Sequence, residues 1–99
     1  MILYHTTLKE NVSSILEKGL QPSKFGIVYL SEKPNSWWQG EKYVTFEVDM
    51  KNCKHKLTTF NDPNLDEILC WGSIESKRLK LLELNKIRQE QVKELLSND

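Results

Sequence analysis

Apolar and polar residues alternate most cleanly over residues 43–49. Val44, Phe46 and Val48 fall on one side, and Tyr43, Thr45, Glu47 and Asp49 on the other. A period of two predicts a strand with one buried face. Near the start, residues 2–5 form a short apolar run that also reads as a strand. Leu8, Val12, Ile15 and Leu16 then recur at helical spacing. Thr7 is placed to cap that helix, with Glu10 three residues on completing a capping box. Gly19 suits the left-handed residue that ends a helix, and Pro22 prevents its resumption. Phe25-Gly26 leads into a second strand over residues 27–31.

The remainder is richer in strands. Residues 34–40 make a connection that contains Trp37-Trp38. Residues 51–54 read as a turn and 55–58 as a short edge strand. Asn61-Asp62-Pro63-Asn64 is a loop by composition. A strand over 66–71, a turn over 72–76 and a last strand over 78–84 follow. Residues 85–96 read as a helix that offers Ile87, Val92, Leu95 and Leu96 for docking. Strands outnumber helices without alternating with them, so the expected class is α+β. The 99 residues suit a single domain spanning 1–99.

Charge narrows the functional classes. Fourteen basic residues balance fourteen acidic ones, which removes the electrostatic argument for sequence-independent nucleic-acid binding. Lys51, Lys54, His55 and Lys56 read as a solvated turn. No apolar run approaches the roughly 20 residues that span a bilayer, and no basic segment leads into a long apolar one. The expectation is a cytoplasmic domain with no membrane partner. Cys53 and Cys70 lack metal-ligand spacing, and only two histidines, His5 and His55, are present. The expectation is therefore that no metal is bound. Cys70, inside an apolar run, reads as a small core residue.

Three residues invite a chemical reading. Each also has an ordinary role: His5 as a half-buried, hydrogen-bonded imidazole, Tyr29 as a packed strand aromatic, and Glu67 as a solvated acid at a strand edge. Together they could serve the cleavage of a nicotinamide–ribose bond. That reaction needs an aromatic ring to hold the departing base and hydrogen bonds to fix the ribose. It also needs a carboxylate beside the positive charge that develops on the sugar. Glycoside hydrolysis follows the same logic at an oxocarbenium-like centre.

The order of motifs supports this combination. Tyr4-His5-Thr6-Thr7, a helix ending at Gly19-Leu20-Gln21-Pro22, and Val28-Tyr29-Leu30-Ser31 follow one another. Gly40 then precedes Val44-Thr45-Phe46-Glu47-Val48-Asp49, and Asp66-Glu67-Ile68-Leu69 leads to Gly72-Ser73-Ile74. This series, from Leu3 to about Leu84, resembles the ADP-ribosyltransferase superfamily of the His-Tyr-Glu type. It is nearest to the branches that include DNA-targeting toxins and RNA 2′-phosphotransferases. The resemblance implies a small split sheet with an N-terminal and a C-terminal helix, and NAD as substrate. It implies that His5 orients the dinucleotide or its adenosine-side ribose, that Tyr29 stacks on nicotinamide, and that Glu67 stabilises the ribosyl cation. Thr6, Thr7 and Ser31 would supply further hydrogen bonds.

The implied activity is a toxin-like mono-ADP-ribosyl transfer to a protein or nucleic-acid acceptor. The alternatives are a non-catalytic module of the same fold and an RNA 2′-phosphotransferase-like enzyme, the latter disfavoured by the neutral charge. The family often has Gly after its His, whereas Thr6 stands here. Trp37, Trp38 and the C-terminal helix are candidate contacts for a protein partner.

Overall fold

Residues 1–34, 42–59 and 65–82 are described by a computed structural model. The longest pairing in it joins the two strands with the strongest patterns. β1 (Ile2–Leu8) runs antiparallel to β3 (Tyr43–Asp49), from Ile2 opposite Asp49 to Leu8 opposite Tyr43. β6 (Leu79–Leu81) pairs with the other edge of β3, giving the order β1-β3-β6. A second antiparallel sheet has the order β2-β5-β4, built from Val28–Leu30, Ile68–Cys70 and Leu57–Thr59. With the one α-helix among the described residues, α1 (Val12–Lys18), this makes a small α+β domain. No helix among the described residues is long and apolar enough to cross a membrane.

The register assigns every side chain to a face. Leu3, His5 and Thr7 lie opposite Val48, Phe46 and Val44. In the second sheet, Val28 and Leu30 lie opposite Cys70 and Ile68. These apolar sets, with Ile15, Leu20, Met50 and Ile74, form one core in which Phe46, Val48 and Cys70 are fully enclosed. Burial of this kind is the main favourable contribution to the fold. Desolvation holds the Cys70 thiol above its usual pKa, with the nearby Cys53 adding to the shift, so Cys70 stays protonated and inert.

The polar face of β3 is not the solvated one that its alternation predicts. Thr45 is only 1% exposed, and its hydroxyl is 2.9 Å from that of Thr6 directly opposite. Each hydroxyl can both donate and accept, so the pair satisfies itself.

The N-terminal helix also differs from its sequence signature. Thr7 does not cap it and no capping box forms. β1 instead continues through Leu8, a single 3-10 turn (Lys9–Asn11) intervenes, and α1 begins at Val12 with no side-chain cap. Extending the ladder to β3 satisfies the backbone of Thr7 and Leu8, which a cap at Thr7 would have taken from the strand. The Thr7 hydroxyl accepts a hydrogen bond from Asn11 Nδ2 at 3.1 Å. Of the expected apolar face, Ile15 is buried, whereas Leu8 and Leu16 are exposed. β2, β5 and β6 are each shorter than the pattern suggests. Trp37, Trp38, the 61–64 loop and the C-terminal helix lie outside the described residues.

The helix does end at Gly19, which has φ +80° and donates its N–H to Ile15 O at 2.7 Å. Leu20 then exchanges two backbone hydrogen bonds with Ile74, at 2.8 and 2.9 Å. Gly19 packs so closely here that a Cβ would meet the Ile74 carbonyl and the Ser76 amide. The substitution Gly19→Ala is expected to destabilise the fold by roughly 2–4 kcal/mol, from overpacking together with positive-φ strain. Urea unfolding beside the wild type checks this, and an unchanged midpoint would contradict it.

Candidate functional site

Among the described residues, one backbone bridge links the two sheets. Tyr4 and Ser31 exchange backbone hydrogen bonds of 2.9 and 2.8 Å, joining β1 to β2. In a continued antiparallel ladder, the next such pair would be Thr6 and Tyr29. The strands part instead. The Tyr29 carbonyl, which Thr6 N–H would have reached, lies 2.8 Å from Nδ1 of His5. A side chain thus replaces the ladder where the sheet splits.

That bond fixes the chemistry of the imidazole. A carbonyl can only accept, so Nδ1 carries the proton and Nε2 of the neutral ring keeps a lone pair. Burial lowers the His5 pKa, outweighing the smaller upward effect of the bond to Tyr29. At neutral pH, His5 is therefore an uncharged acceptor. Nε2 makes no hydrogen bond to the described residues.

His5 opens onto a cavity of about 320 Å³ between β1, α1 and the segment leading into β2. Thr7, Asn11, Ser14, Gln21 and Ser23 supply hydroxyls and amides, while Ile15, Leu20, Ile27 and Val28 supply apolar wall. Tyr29 also lines it. None of the described lining residues is a carboxylate, lysine or arginine. Such a surface suits a ligand with many hydroxyls and an apolar ring. The volume is near the small end of the roughly 300–1,000 Å³ typical of small-molecule sites.

The other sequence candidates sit around this split. Tyr29 is 42% exposed, between buried Val28 and Leu30, on the outer face of its sheet. Ser31 follows on that face. Its hydroxyl donates to Lys33 O at 2.7 Å and lies 3.5 Å from Tyr4 O. Glu67 immediately precedes β5 and is half-buried. Carried back one residue, the alternation of β5 puts Glu67 with Leu69, on the Tyr29 side. Thr6 faces Thr45, away from His5, so the methyl-bearing residue after the His does not enter the cavity. The structure thus brings His5, Thr7 and Tyr29 to one cavity. Glu67, Ser31 and Thr6 are not part of its wall.

Two contacts that the sequence reading did not single out shape the neighbourhood. Both carboxylate oxygens of Asp66 accept backbone N–H groups beyond β2, from Glu32 at 2.7 Å and Lys33 at 3.1 Å. This clamp holds the end of β2 beside Glu67. Its one signal in the sequence is an Asp next to the candidate Glu. His55, expected in a solvated turn, bonds Ser73 O through Nε2 at 2.8 Å and packs where a side chain at Gly72 would lie.

The depressed pKa of His5 sets the sign of a pH effect. The unfolded chain binds this proton near pH 6.5, and the folded chain only at lower pH. Stability from neutral His5 is complete above the unfolded value. It falls as pH drops from there through the folded value, then levels off. The His5→Gln variant should lack this component. Melting temperatures of both proteins over acidic to neutral pH check it, together with the imidazole C–H shift of His5 by NMR. A folded pKa at or above 6.5 would contradict it.

Comparison with known protein families and with curated proteins finds no match to either.

Proposed function

We propose that this chain is an NAD-dependent mono-ADP-ribosyltransferase domain with an ADP-ribosyltransferase-like split sheet. The supporting observation is the neutral His5. It is held at the split by the Tyr29 carbonyl, and its Nε2 acceptor bonds none of the described residues; among these, the cavity around it is uncharged and lined with hydroxyls and amides. A cavity of this size accommodates the adenosine-side ribose of a dinucleotide rather than the whole. In the proposed complex, NAD crosses the split. The adenosine-side ribose donates a hydroxyl to His5 Nε2, and the nicotinamide half passes to the outer face, over the Tyr29 ring and towards Glu67.

In the reaction, the bond between ribose C1′ and the nicotinamide nitrogen breaks. Its electron pair stays with the departing base, which leaves neutral. Positive charge grows on C1′ and the ring oxygen, and the Glu67 carboxylate stabilises it. A nucleophile of a macromolecular acceptor then bonds to C1′ and releases its proton to water. Asp66 acts as a positioning residue by tying the segment after β2 to the residue before Glu67.

One observation favours a second reading. Glu67 lies outside the cavity wall, as in a module that binds the nucleotide without cleaving it. Among the described residues, no lysine or arginine lines that wall, which gives no support to an RNA 2′-phosphotransferase, an enzyme that has to hold an internal phosphate.

Calorimetric titration with NAD tests binding, and nicotinamide release tests turnover. The Glu67→Gln variant should lower turnover by roughly 10²–10³-fold with little change in affinity, because the carboxylate acts on transition-state charge. Saturable binding without nicotinamide release by the wild type would select the non-catalytic module. No NAD binding would end both readings.

Tyr29 separates packing from function. The Tyr29→Phe variant should keep most NAD affinity, and Tyr29→Ala should lose roughly 1–3 kcal/mol, as in base–aromatic stacking. A large fall in melting temperature for Tyr29→Ala, with unaltered affinity of the folded fraction, would make Tyr29 a packing residue only.

A further inference from the structure

Phe25 is a large exposed aromatic that the fold does not use. It is 67% exposed, more than any other exposed aromatic among the described residues. It stands at the tip of the segment between Gln21 and Ile27, and both ends of that segment line the cavity. The tip is a built turn. Ser23 N–H donates to Ile27 O at 2.9 Å and Gly26 N–H to Ser23 O at 2.8 Å, while Phe25 N–H reaches Ser23 Oγ at 3.3 Å. Gly26 takes φ +79°, a conformation that favours glycine. The backbone thus presents Phe25 at the tip of a closed turn instead of folding it into the core. Lys24 lies beside it, with Nζ 5.2 Å from the ring centroid. Residues 18–27 contain two lysines and no acid.

We propose that Phe25 and Lys24 form the adenine-diphosphate subsite of this domain, an inference that rests on the dinucleotide reading above. The ribose occupies the hydroxyl-lined cavity at His5. The adenine emerges at its rim and stacks on Phe25, and Lys24 moves from the ring face to the diphosphate. An exposed cation–π contact is weak enough to be exchanged for a phosphate ion pair. The subsite distinguishes ligands that carry an adenosine diphosphate from those that carry only the nicotinamide half.

The test uses the full chain and two probes: ADP-ribose, which keeps the adenine end, and nicotinamide mononucleotide, which lacks it. The Phe25→Ala variant should weaken ADP-ribose roughly ten- to a hundredfold, the range of one lost base–aromatic stack, and leave nicotinamide mononucleotide unchanged. Phe25→Trp should restore ADP-ribose binding. Lys24→Ala should reduce the salt dependence of ADP-ribose affinity. Because both side chains are at the surface, thermal melting of all variants should match the wild type. Unchanged ADP-ribose affinity in Phe25→Ala would overturn the subsite while leaving the dinucleotide reading in place, as would equal loss for both probes. If the wild type bound neither probe, the dinucleotide reading itself would fall, and the subsite with it.

Discussion

The hydrogen bond from His5 Nδ1 to the Tyr29 carbonyl organises the middle of this domain. Among the described residues, the two three-stranded sheets share a single backbone bridge, at Tyr4 and Ser31. Beyond it the strands stop pairing, and the Tyr29 carbonyl, at an exposed site, takes a side-chain donor in place of the ladder N–H. The imidazole is that donor. It lets β1 and β2 diverge without an orphaned acceptor, and the divergence leaves room for the cavity. The same bond selects the tautomer of the ring. One contact thus joins architecture to chemical character.

The flanks of the split are fixed by different means. On the His5 side, the Thr6–Thr45 pair ties β1 to β3 through a part-buried contact. On the Tyr29 side, Asp66 clamps the residues after β2 from an exposed position. Arg78 adds a third tie, donating from Nη1 to Asp49 O at 3.1 Å and Lys51 O at 2.7 Å. That tie holds the turn after β3 against the start of β6. All three involve polar groups bonding across long sequence separations. In the proposed reaction, such ties keep the ligand-facing residues in position before any substrate arrives.

Some of this was legible in the residues themselves. The alternation of Val44, Phe46 and Val48 located β3 and its buried face, because a period of two directly reflects strand geometry. Gly19 marked the helix end, because few residues accept a positive φ. The capping signature at Thr7 and Glu10 misled, since a local signal lost to a seven-residue ladder with β3 that no local window contains. Thr45 was read as solvated for the same reason: its partner, Thr6, is distant in sequence. His5, Tyr29 and Glu67 were found through motif order. Their division between a cavity and an outer face depends on strand parity across the split, which emerges only once β1 and β2 are bridged. The roles of Asp66 and His55 lay in bonds to backbone groups, which leave almost no trace in residue type.

Every described residue lining the cavity lies between His5 and Tyr29, yet this stretch is not self-sufficient. Leu20 completes its backbone pairing only through Ile74, and Gly19 packs against the same residue. The wall is local in sequence, but its closure is long-range. The shape of the cavity therefore depends on docking of the segment after β5. A peptide ending at β2 would carry the whole lining inventory without holding its shape, so transplanting the pocket means transplanting both sheets.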